Sequence, residues 1–513
     1  MHHTVVISDI HLCEVEPGTG PWMRYRQRAY IPDAEIARML DAVRAKVRGD
    51  ALTLVLNGDV FDFDAPRVVG TESVFHDLPR SAEHAVPAVA AILDDHPVFV
   101  AAIGRVLADG HEVVIISGNH DVQLTLPEVR AIVAARFVEA AAAALSDGSS
   151  AGPASARATL AARIHFRAWF HVTRDGVLVE HGHLYDPYCS YRYPMAPYKR
   201  GRREIVGTMG SIGTRLLVSR LGYFNPHVES SIMMSKLGYL KHWAQYYLFT
   251  RRSISLIWAY GTARVLLTLC MNRESACEAR FRGNILACAR ETGQPAAAIA
   301  GHARLFTPPA DETIFRCVRE LWVDRVALGF VSFVLGMAWL AYAGLPWGLL
   351  GLLAPLVALM IYERVYPKPP IEDTWGRVGG AMRQIATLHK ARAVIFGHTH
   401  NAEASWENDV FYGNSGSWSA AYHDETCTKP VFQERPLIWL TSDTRGELFG
   451  GLWTWKNGVL EARVVRAQPE EEIVPAPVSG WQTTAAAAAA ARESSAVLSR
   501  DGSAGTSTQE ASG

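Results

Sequence analysis

Metal-binding side chains recur at the ends of short apolar segments along this sequence. They lie in five separate stretches, and together they comprise Asp9, His11, Asp59, Asn119, His181, His398 and His400. Mixed imidazole and carboxylate ligands favour borderline divalent ions over calcium or magnesium. The pattern predicts a site for two divalent metal ions, with manganese or iron preferred and zinc as a further candidate.

Two adjacent cations suit the hydrolysis of phosphate esters. Ester oxyanions repel a nucleophile, and a metal pair both screens that charge and turns water into hydroxide near neutral pH. A carboxylate must bridge the two ions, and Asp59 suits this role. The other ligands divide into two groups, with Asp9, His11 and His400 around one ion and Asn119, His181 and His398 around the other.

His120 follows the ligand Asn119 directly and is left over by this assignment. A departing alkoxide needs a proton, and histidine titrates near neutral pH. We therefore predict that His120 is the general acid. Asp62, three residues after the bridging Asp59, is predicted to orient it.

The elements that must position these residues are buried strands alternating with helices. Each predicted strand is β-branched or apolar and ends at one of the polar groups: Thr4–Ser8, Leu52–Leu56, Glu112–Ser117, Val177–Glu180 and Ala391–Phe396. Helical periodicity separates the first three, over Ile36–Val47 and Val98–Ala108. Open α/β folds place their sites at the carboxyl ends of strands, so the pattern predicts an α/β fold with one composite site.

The same stretches, in the same order, resemble the calcineurin-like metallophosphoesterases. That family shows DxH, GDxxD, GNH followed by Asp or Glu, a later His, and GHxH. Here these are Asp9-Ile10-His11, Gly58–Asp62, Gly118–Asp121, His181 and Gly397–His400. The resemblance implies a four-layer α/β/β/α sandwich, a dinuclear centre ligated as above, and pairing of Asp62 with His120. It covers residues 1–188 and 390–465.

The remaining sequence predicts a large helical insertion within this α/β domain. The domain would consist of residues 1–190 and 390–466, separated by a helical basic and aromatic insertion at 191–325 and a hydrophobic hairpin at 326–362. Residues 469–513, rich in Ala, Ser, Thr and Gly, are predicted to be disordered.

No charged residue occurs between Val326 and Tyr362, and Gly344–Gly348 divides this run into two halves. Each half is shorter than the ~20 residues of a typical span, so thin spans and a re-entrant hairpin are both open. The alternative is a buried pair of soluble helices. If His398 and Asp9 belong to one site, the chain must return to the side of the membrane that it left. Basic residues before the hairpin favour a cytoplasmic location for the catalytic domain.

A membrane hairpin beside a phosphoesterase site favours a lipid-linked substrate. Five basic residues are predicted to bind its anionic head group: Arg192, Lys199, Arg200, Arg202 and Arg203. The opening Ile7–Leu12 is similar to UDP-2,3-diacylglucosamine hydrolases, although that group usually has Arg where this chain has His120. The basic residues could instead be a solvated, topology-setting flank.

Two other functions stay open. The hydrolase could act on a soluble nucleotide and use the hairpin only as an anchor. Alternatively, the chain could be a membrane scaffold that keeps the fold only for binding, although no ligand of the set is missing. Lysine plus arginine (50) balances aspartate plus glutamate (51), which gives no sign of a nucleic-acid partner. The seven cysteines show no CxxC spacing, which argues against a disulfide framework and a zinc ribbon.

Overall fold

Two β-sheets pack face to face at the centre of the computed structural model. It describes residues 1–75, 78–145, 153–222, 225, 241, 244, 254–271, 278–366, 371–431 and 434–466. The strands, in chain order, are β1 (His2–Ile7), β2 (Ala51–Asn57), β3 (Arg67–Val69), β4 (Glu72–Val74), β5 (Glu112–Ile116), β6 (Ile164–Arg167), β7 (Phe170–Val172), β8 (Val177–Glu180), β9 (Ala393–Phe396), β10 (Glu403–Glu407), β11 (Val410–Asn414), β12 (Arg435–Ser442), β13 (Leu448–Lys456) and β14 (Val459–Arg466).

The larger sheet has seven strands in the order β14-β13-β12-β1-β2-β5-β6, and the smaller has five in the order β10-β11-β9-β8-β7. In the larger sheet β1, β2, β5 and β6 run parallel, with Val6 beside Val55 and Val55 beside Val114. In the smaller sheet β9 runs parallel to both β8 and β11. Parallel neighbours bring their carboxyl ends to one edge of each sheet, so the loops after them share that edge.

The strands that lead to the predicted ligands are buried on both faces, which explains their continuous apolar sequence. Successive side chains point to opposite faces. Thus Val6 and Val55 of the larger sheet meet Val179 and Ile395 of the smaller sheet between the two layers. Ile7, next in the chain, belongs instead to the helix-covered cluster outside.

Helices cover the outer faces of both sheets and form the insertion. They are α1 (Asp33–Lys46), α2 (Ala82–Asp95), α3 (Pro97–Ala108), α4 (Pro127–Leu145), α5 (Pro153–Ala161), α6 (Met209–Leu216), α7 (Ile254–Met271), α8 (Glu278–Thr292), α9 (Ala296–Ala303), α10 (Ile314–Glu320), α11 (Val323–Ala343), α12 (Ala354–Val365) and α13 (Ile371–His389). Ile36 of α1 and Phe99 of α3 pack in the outer cluster of the larger sheet, and Ile385 of α13 joins Phe396 of β9. The prediction of a mixed α/β fold is confirmed.

The region predicted as a helical insertion contains α6 to α10. Helices α6, α7 and α10 share a small core that includes Ile212, Val265 and Cys317. Helix α9 instead contributes Ile299 to the main core. Met1–Glu471 forms one compact unit, so the insertion packs with the sandwich. The predicted disordered tail, 469–513, lies outside the described residues.

The hydrophobic hairpin is longer than the uncharged run indicated. Its arms are Val323–Ala343, of 21 residues, and Trp347–Val365, of 19 residues, and both are long and apolar enough to cross a membrane. The expectation that each half falls short of a span was therefore wrong. Charged residues belong to the arms at their base, where Arg325 pairs with Glu363 and Asp324 accepts a hydrogen bond from the Tyr362 hydroxyl at 2.6 Å. Only 11% and 6% of the apolar windows are buried, which does not fit a buried pair of soluble helices.

The backbones of the two hairpin arms come close together at glycine residues. A methyl group on Gly336 would lie 2.1 Å from the Gly351 carbonyl oxygen, and one on Gly348 would lie 2.5 Å from the Leu340 side chain. Small residues at helix crossings allow the close backbone contact on which association depends where the surroundings are apolar. The outward surface carries large apolar side chains instead, such as Phe330 and Leu335.

Aromatic residues mark both ends of the hairpin. Trp322, Tyr362 and Tyr366 lie at its base, and Trp339, Tyr342 and Trp347 lie near its tip. A helix rises about 1.5 Å per residue, so the 21-residue arm is about as long as the hydrocarbon core is thick. Tryptophan and tyrosine favour the two membrane interfaces. This distribution matches a hairpin that reaches from one interface to the other.

We expect the full-length chain to sediment with membranes and to resist carbonate extraction. Replacing the exposed Leu335 and Met360 by arginine should release protein into the carbonate supernatant, because arginine costs about 2.5–3.5 kcal/mol at the centre of an inserted helix. The matched control places the same two charges on the α1 surface, at Ala34 and Ala45. A wild-type chain that stays in the carbonate supernatant would refute membrane insertion.

Candidate metal centre

The five strand ends bring the seven predicted ligands together at one edge of the two sheets. Strands β1, β2 and β5 of the larger sheet lead to Asp9, Asp59 and Asn119. Strands β8 and β9 of the smaller sheet lead to His181 and, across the insertion, to the His398–His400 loop. The site is therefore composite, and each sheet supplies part of it.

The first group of ligands surrounds Asp9. His400 Nε2 lies 3.0 Å from Asp9 Oδ1 and 3.4 Å from His11 Nε2. One donor atom from each of these three residues lies within 4.8 Å of the others. Donors about 2.1 Å from a common ion lie about 3–4 Å apart, so this group fits one cation.

The second group surrounds His181. Its Nε2 lies 3.1 Å from Asp59 Oδ2 and 3.3 Å from Asn119 Oδ1. Asp59, His181 and His398 likewise place one donor each within 4.8 Å of one another. His181 Nδ1 donates to the Asn57 carbonyl at 2.8 Å, which leaves Nε2 to face the carboxylates. A ligand histidine held through its other nitrogen is the usual arrangement at metal sites.

Asp59 touches both groups, as a bridging carboxylate must. Its Oδ2 faces His181, and its Oδ1 accepts the backbone N–H of His120 at 2.8 Å. Asp59 also shares a candidate metal group with His11 and His120. His181 Nε2 lies 4.0 Å from Asp9 Oδ1, so the two groups are contiguous.

Five of the seven ligands have left-handed backbone conformations. Their φ angles are 53° at Asp9, 55° at His11, 50° at Asp59, 67° at His398 and 59° at His400. Such conformations are uncommon for residues other than glycine, and they concentrate at functional sites. Each turns the chain sharply after its strand, so that the side chain enters the site.

Glycines beside the ligands allow three backbone segments to press against ligand side chains. A methyl group would lie 2.4 Å from the His181 ring if added to Gly58, 2.2 Å from Asp59 Oδ1 if added to Gly118, and 2.7 Å from Asp9 Oδ2 if added to Gly397. The glycines of the GD, GN and GH pairs thus have a packing role.

Asn414, the last residue of β11, and the loop after it support Asp9 and the His398 loop through hydrogen bonds. The Ser417 hydroxyl and the Trp418 N–H both donate to the Asp9 carbonyl at 3.1 Å. Asn414 Nδ2 donates to the Gly397 carbonyl at 2.6 Å and to Thr399 Oγ1 at 3.1 Å. This loop supports the candidate ligands, and none of its described residues belongs to a candidate metal group.

The site concentrates buried negative charge. Asp9 is 0% and Asp59 1% exposed. Burial alone would raise the pKa of Asp59, yet the attraction of His181, His120 and His11 lowers it well below its usual value. Burial likewise opposes the charged form of His181, but Asp59 and Asp9 raise its pKa to about 9. Protonated histidines thus supply positive charge beside the two carboxylates.

His120 lies at the site and is held by a carboxylate that the sequence analysis missed. Its Nδ1 lies 2.9 Å from Asp64 Oδ2, whereas the predicted partner Asp62 is 3.7 Å away. Asp62 Oδ1 instead accepts the backbone N–H groups of Asp64 and Ala65. Although burial opposes the charged ring, Asp59 and Asp64 raise the pKa of His120 to about 10. Asp62 therefore shapes the loop that presents Asp64.

Asp186 is a second residue that the sequence analysis missed. Its Oδ2 lies 3.1 Å from His398 Nε2, and its Oδ1 accepts the Tyr188 N–H at 2.9 Å. With Cys189 and His398 it forms a further candidate metal group. His398 therefore belongs to two candidate groups, one with Asp59 and His181 and one with Asp186 and Cys189. No motif spacing indicated Asp186.

The five predicted substrate-binding residues are either paired with carboxylates or exposed to solvent. Three of the five pair with carboxylates: Arg192 with Glu312 at 3.7 Å, Lys199 with Glu204 at 2.6 Å, and Arg203 with Glu128 at 3.2 Å. Arg200 and Arg202 are exposed. This placement fits the alternative of a solvated basic flank at least as well as a head-group site.

No protein-family model matches this sequence, and neither a curated protein nor a solved structure matches the chain.

Gly118→Ala should abolish metal binding without unfolding the chain. The new methyl group would displace Asp59, and overpacking of this kind typically costs about 1–3 kcal/mol. Metal content measured by inductively coupled plasma mass spectrometry should fall to background while the circular dichroism spectrum is retained. Gly379→Ala on α13, where the methyl group meets nothing within 4 Å, should keep full metal content. Full metal content in Gly118→Ala would contradict the role of Gly118 in positioning Asp59.

Asp186→Ala should weaken metal binding through His398. Loss of a partner behind a metal-bound histidine typically costs about 10–100-fold in affinity or activity. A chelator competition assay should show this weakening, with Asp186→Asn in between because its amide oxygen can still accept from His398. Unchanged affinity in both variants would contradict the positioning role of Asp186.

Proposed function

We propose that the chain is a dinuclear-metal phosphoesterase related to the calcineurin-like metallophosphoesterases. The observation that carries this proposal is the pair of contiguous donor groups, Asp9 with His11 and His400, and Asp59 with His181 and His398. The packed sheets, with helices on their outer faces, agree with the four-layer sandwich that the family resemblance implies.

The donor chemistry fits two borderline divalent cations, manganese or iron, with zinc as a further candidate. Asp9, His11 and His400 would hold one ion, Asn119, His181 and His398 the other, and Asp59 both. Such a pair, when bound, screens phosphate oxyanions and supplies hydroxide near neutral pH. It would also provide the positive charge that the two buried carboxylates require.

His120 would complete the reaction by protonating the departing oxygen. Nδ1 forms an ion pair with Asp64 Oδ2 at 2.9 Å, which leaves Nε2 to carry the proton to be transferred. The same contact fixes the plane of the ring and stabilises its protonated form. His120 therefore acts as general acid, with Asp64 rather than Asp62 as its orienting residue.

A lipid-linked phosphate ester or pyrophosphate is the substrate class that the hairpin favours, with the catalytic domain on the cytoplasmic face. The alternative, a soluble nucleotide hydrolysed by a membrane-anchored enzyme, gains support from the paired state of Arg192, Lys199 and Arg203. The two substrate classes can be distinguished by the rates at which the full chain, in mixed micelles, hydrolyses a nucleotide and a phosphorylated lipid.

The central test is metal content together with hydrolysis of p-nitrophenyl and bis-p-nitrophenyl phosphate. Asp59→Asn should lose both metal and activity, because it removes the shared carboxylate charge. His84→Ala, at an exposed histidine on α2, is the control and should behave as wild type. Purified protein without transition metal, or full activity in Asp59→Asn, would falsify the mechanism.

His120→Ala should affect substrates according to their leaving group. General acid catalysis contributes about 10²–10⁴-fold, so hydrolysis of an alkyl phosphate should fall by this factor. Hydrolysis of p-nitrophenyl phosphate should fall much less, since its leaving group departs without a proton. Metal content should stay unchanged. Equal losses on both substrates, together with lost metal, would make His120 a ligand, as its grouping with His11 and Asp59 would allow.

A further inference from the structure

Helix α7 presents an exposed stripe that consists only of apolar or uncharged small residues. The stripe follows helical spacing and comprises Leu256, Ala259, Tyr260, Ala263, Leu267 and Cys270. Leu256 is 68%, Leu267 53% and Tyr260 52% exposed. A contiguous apolar surface that is exposed to solvent often marks a site of contact with another protein or with a membrane.

The opposite side of α7 is fixed to the base of the hairpin. Val265 and Leu269 are buried in the small core that α7 shares with Cys317 and Leu321. Trp258 Nε1 donates to the Leu321 carbonyl at 3.2 Å. Leu321 immediately precedes Trp322, at the base of the hairpin. The stripe therefore belongs to the part of the chain from which the hairpin leaves.

Neighbouring side chains have the character of a membrane interface. Phe315 on α10 is 83% exposed, and Trp322 is more than half exposed. The Arg220 guanidinium lies 5.1 Å from the Tyr260 ring centre and 4.8 Å from that of Phe75, beside the stripe. Apolar and aromatic side chains flanked by arginine are typical of helices that lie in the head-group layer of anionic membranes.

We propose that α7 lies in the plane of the membrane interface, with its exposed stripe against phospholipid. Within the described residues, the apolar part of α7, Leu256–Cys270, is shorter than a spanning helix, which favours a position along the interface. The alternative occupant, a second copy of this chain, would cover the stripe without using its continuity with the hairpin. Contact of α7 with lipid would give the catalytic unit a second attachment, which restricts its tilt on the membrane surface.

Site-specific photo-crosslinking to phospholipid tests this proposal on the full-length chain. Benzoylphenylalanine is introduced at Leu267, at Met337 on the hairpin, or at Arg38 on the exposed face of α1, and the protein is reconstituted into phosphatidylcholine and phosphatidylglycerol vesicles. Irradiation should give a lipid adduct at positions 267 and 337 and none at position 38. Circular dichroism confirms that each variant is folded.

Other outcomes overturn the proposal in distinguishable ways. An adduct at position 337 without one at 267 would leave the hairpin in the membrane and remove α7 from it. An adduct at 267 of twice the chain mass would assign the stripe to a second copy. Absence of lipid adducts at both positions would overturn the membrane assignment itself.

A charge variant supplies a second measurement. Leu256→Glu combined with Leu267→Glu should abolish the lipid adduct from a probe at Tyr260, because two carboxylates oppose contact with an anionic interface. The adduct at Met337 should be retained. A Tyr260 adduct that persists in this variant would refute contact between the stripe and lipid.

Discussion

The burial of Asp9 and Asp59 is the constraint on which the rest of the site depends. An ionised carboxylate taken out of water costs several kcal/mol unless positive charge and hydrogen bonds accompany it. Here His181 lies within 4.0 Å of both carboxylates, and backbone N–H groups of His120 and His398 donate to them. The positive charge and hydrogen bonds that offset the burial of the carboxylates therefore come from neighbouring residues. Divalent cations would supply positive charge of the same kind. A cluster of this type is hard to explain by stability alone.

Bringing these charged side chains together has a conformational cost for the backbone. Five ligands adopt left-handed φ angles, and such strain is of the order of 1–3 kcal/mol per residue. Strands buried on both faces hold the chain up to the turn, and glycines 58, 118 and 397 let it pass close to the ligand side chains. The rigid sandwich therefore offsets the strain that the loops carry.

Elements of the fold could be predicted from the sequence where a physical requirement determines which residue types occur. Strands buried on both faces must be apolar throughout, so β1, β2, β5, β8 and β9 and the polar residues after them could be predicted. Side-chain direction within a loop leaves no such pattern, which explains why Asp64 and Asp186 were missed. Helix α7 is apolar on both its buried and its exposed side, so periodicity could not separate them. The hairpin length was underestimated because Asp324, Arg325 and Glu363 lie within the arms and pair with one another.

The smaller sheet places a strict condition on the insertion. Strand β9 pairs in parallel with β8, with Val179 beside Ile395, although the whole insertion and hairpin separate them in sequence. A shift of one residue in this pairing would turn every side chain of β9 to the opposite face and move His398 away from His181. The chain must therefore leave and return at fixed positions. The paired charges at the hairpin base, and the packing of α13 on β9, hold those positions. The exit of the two candidate membrane helices and the assembly of the second candidate metal group thus depend on the same return path.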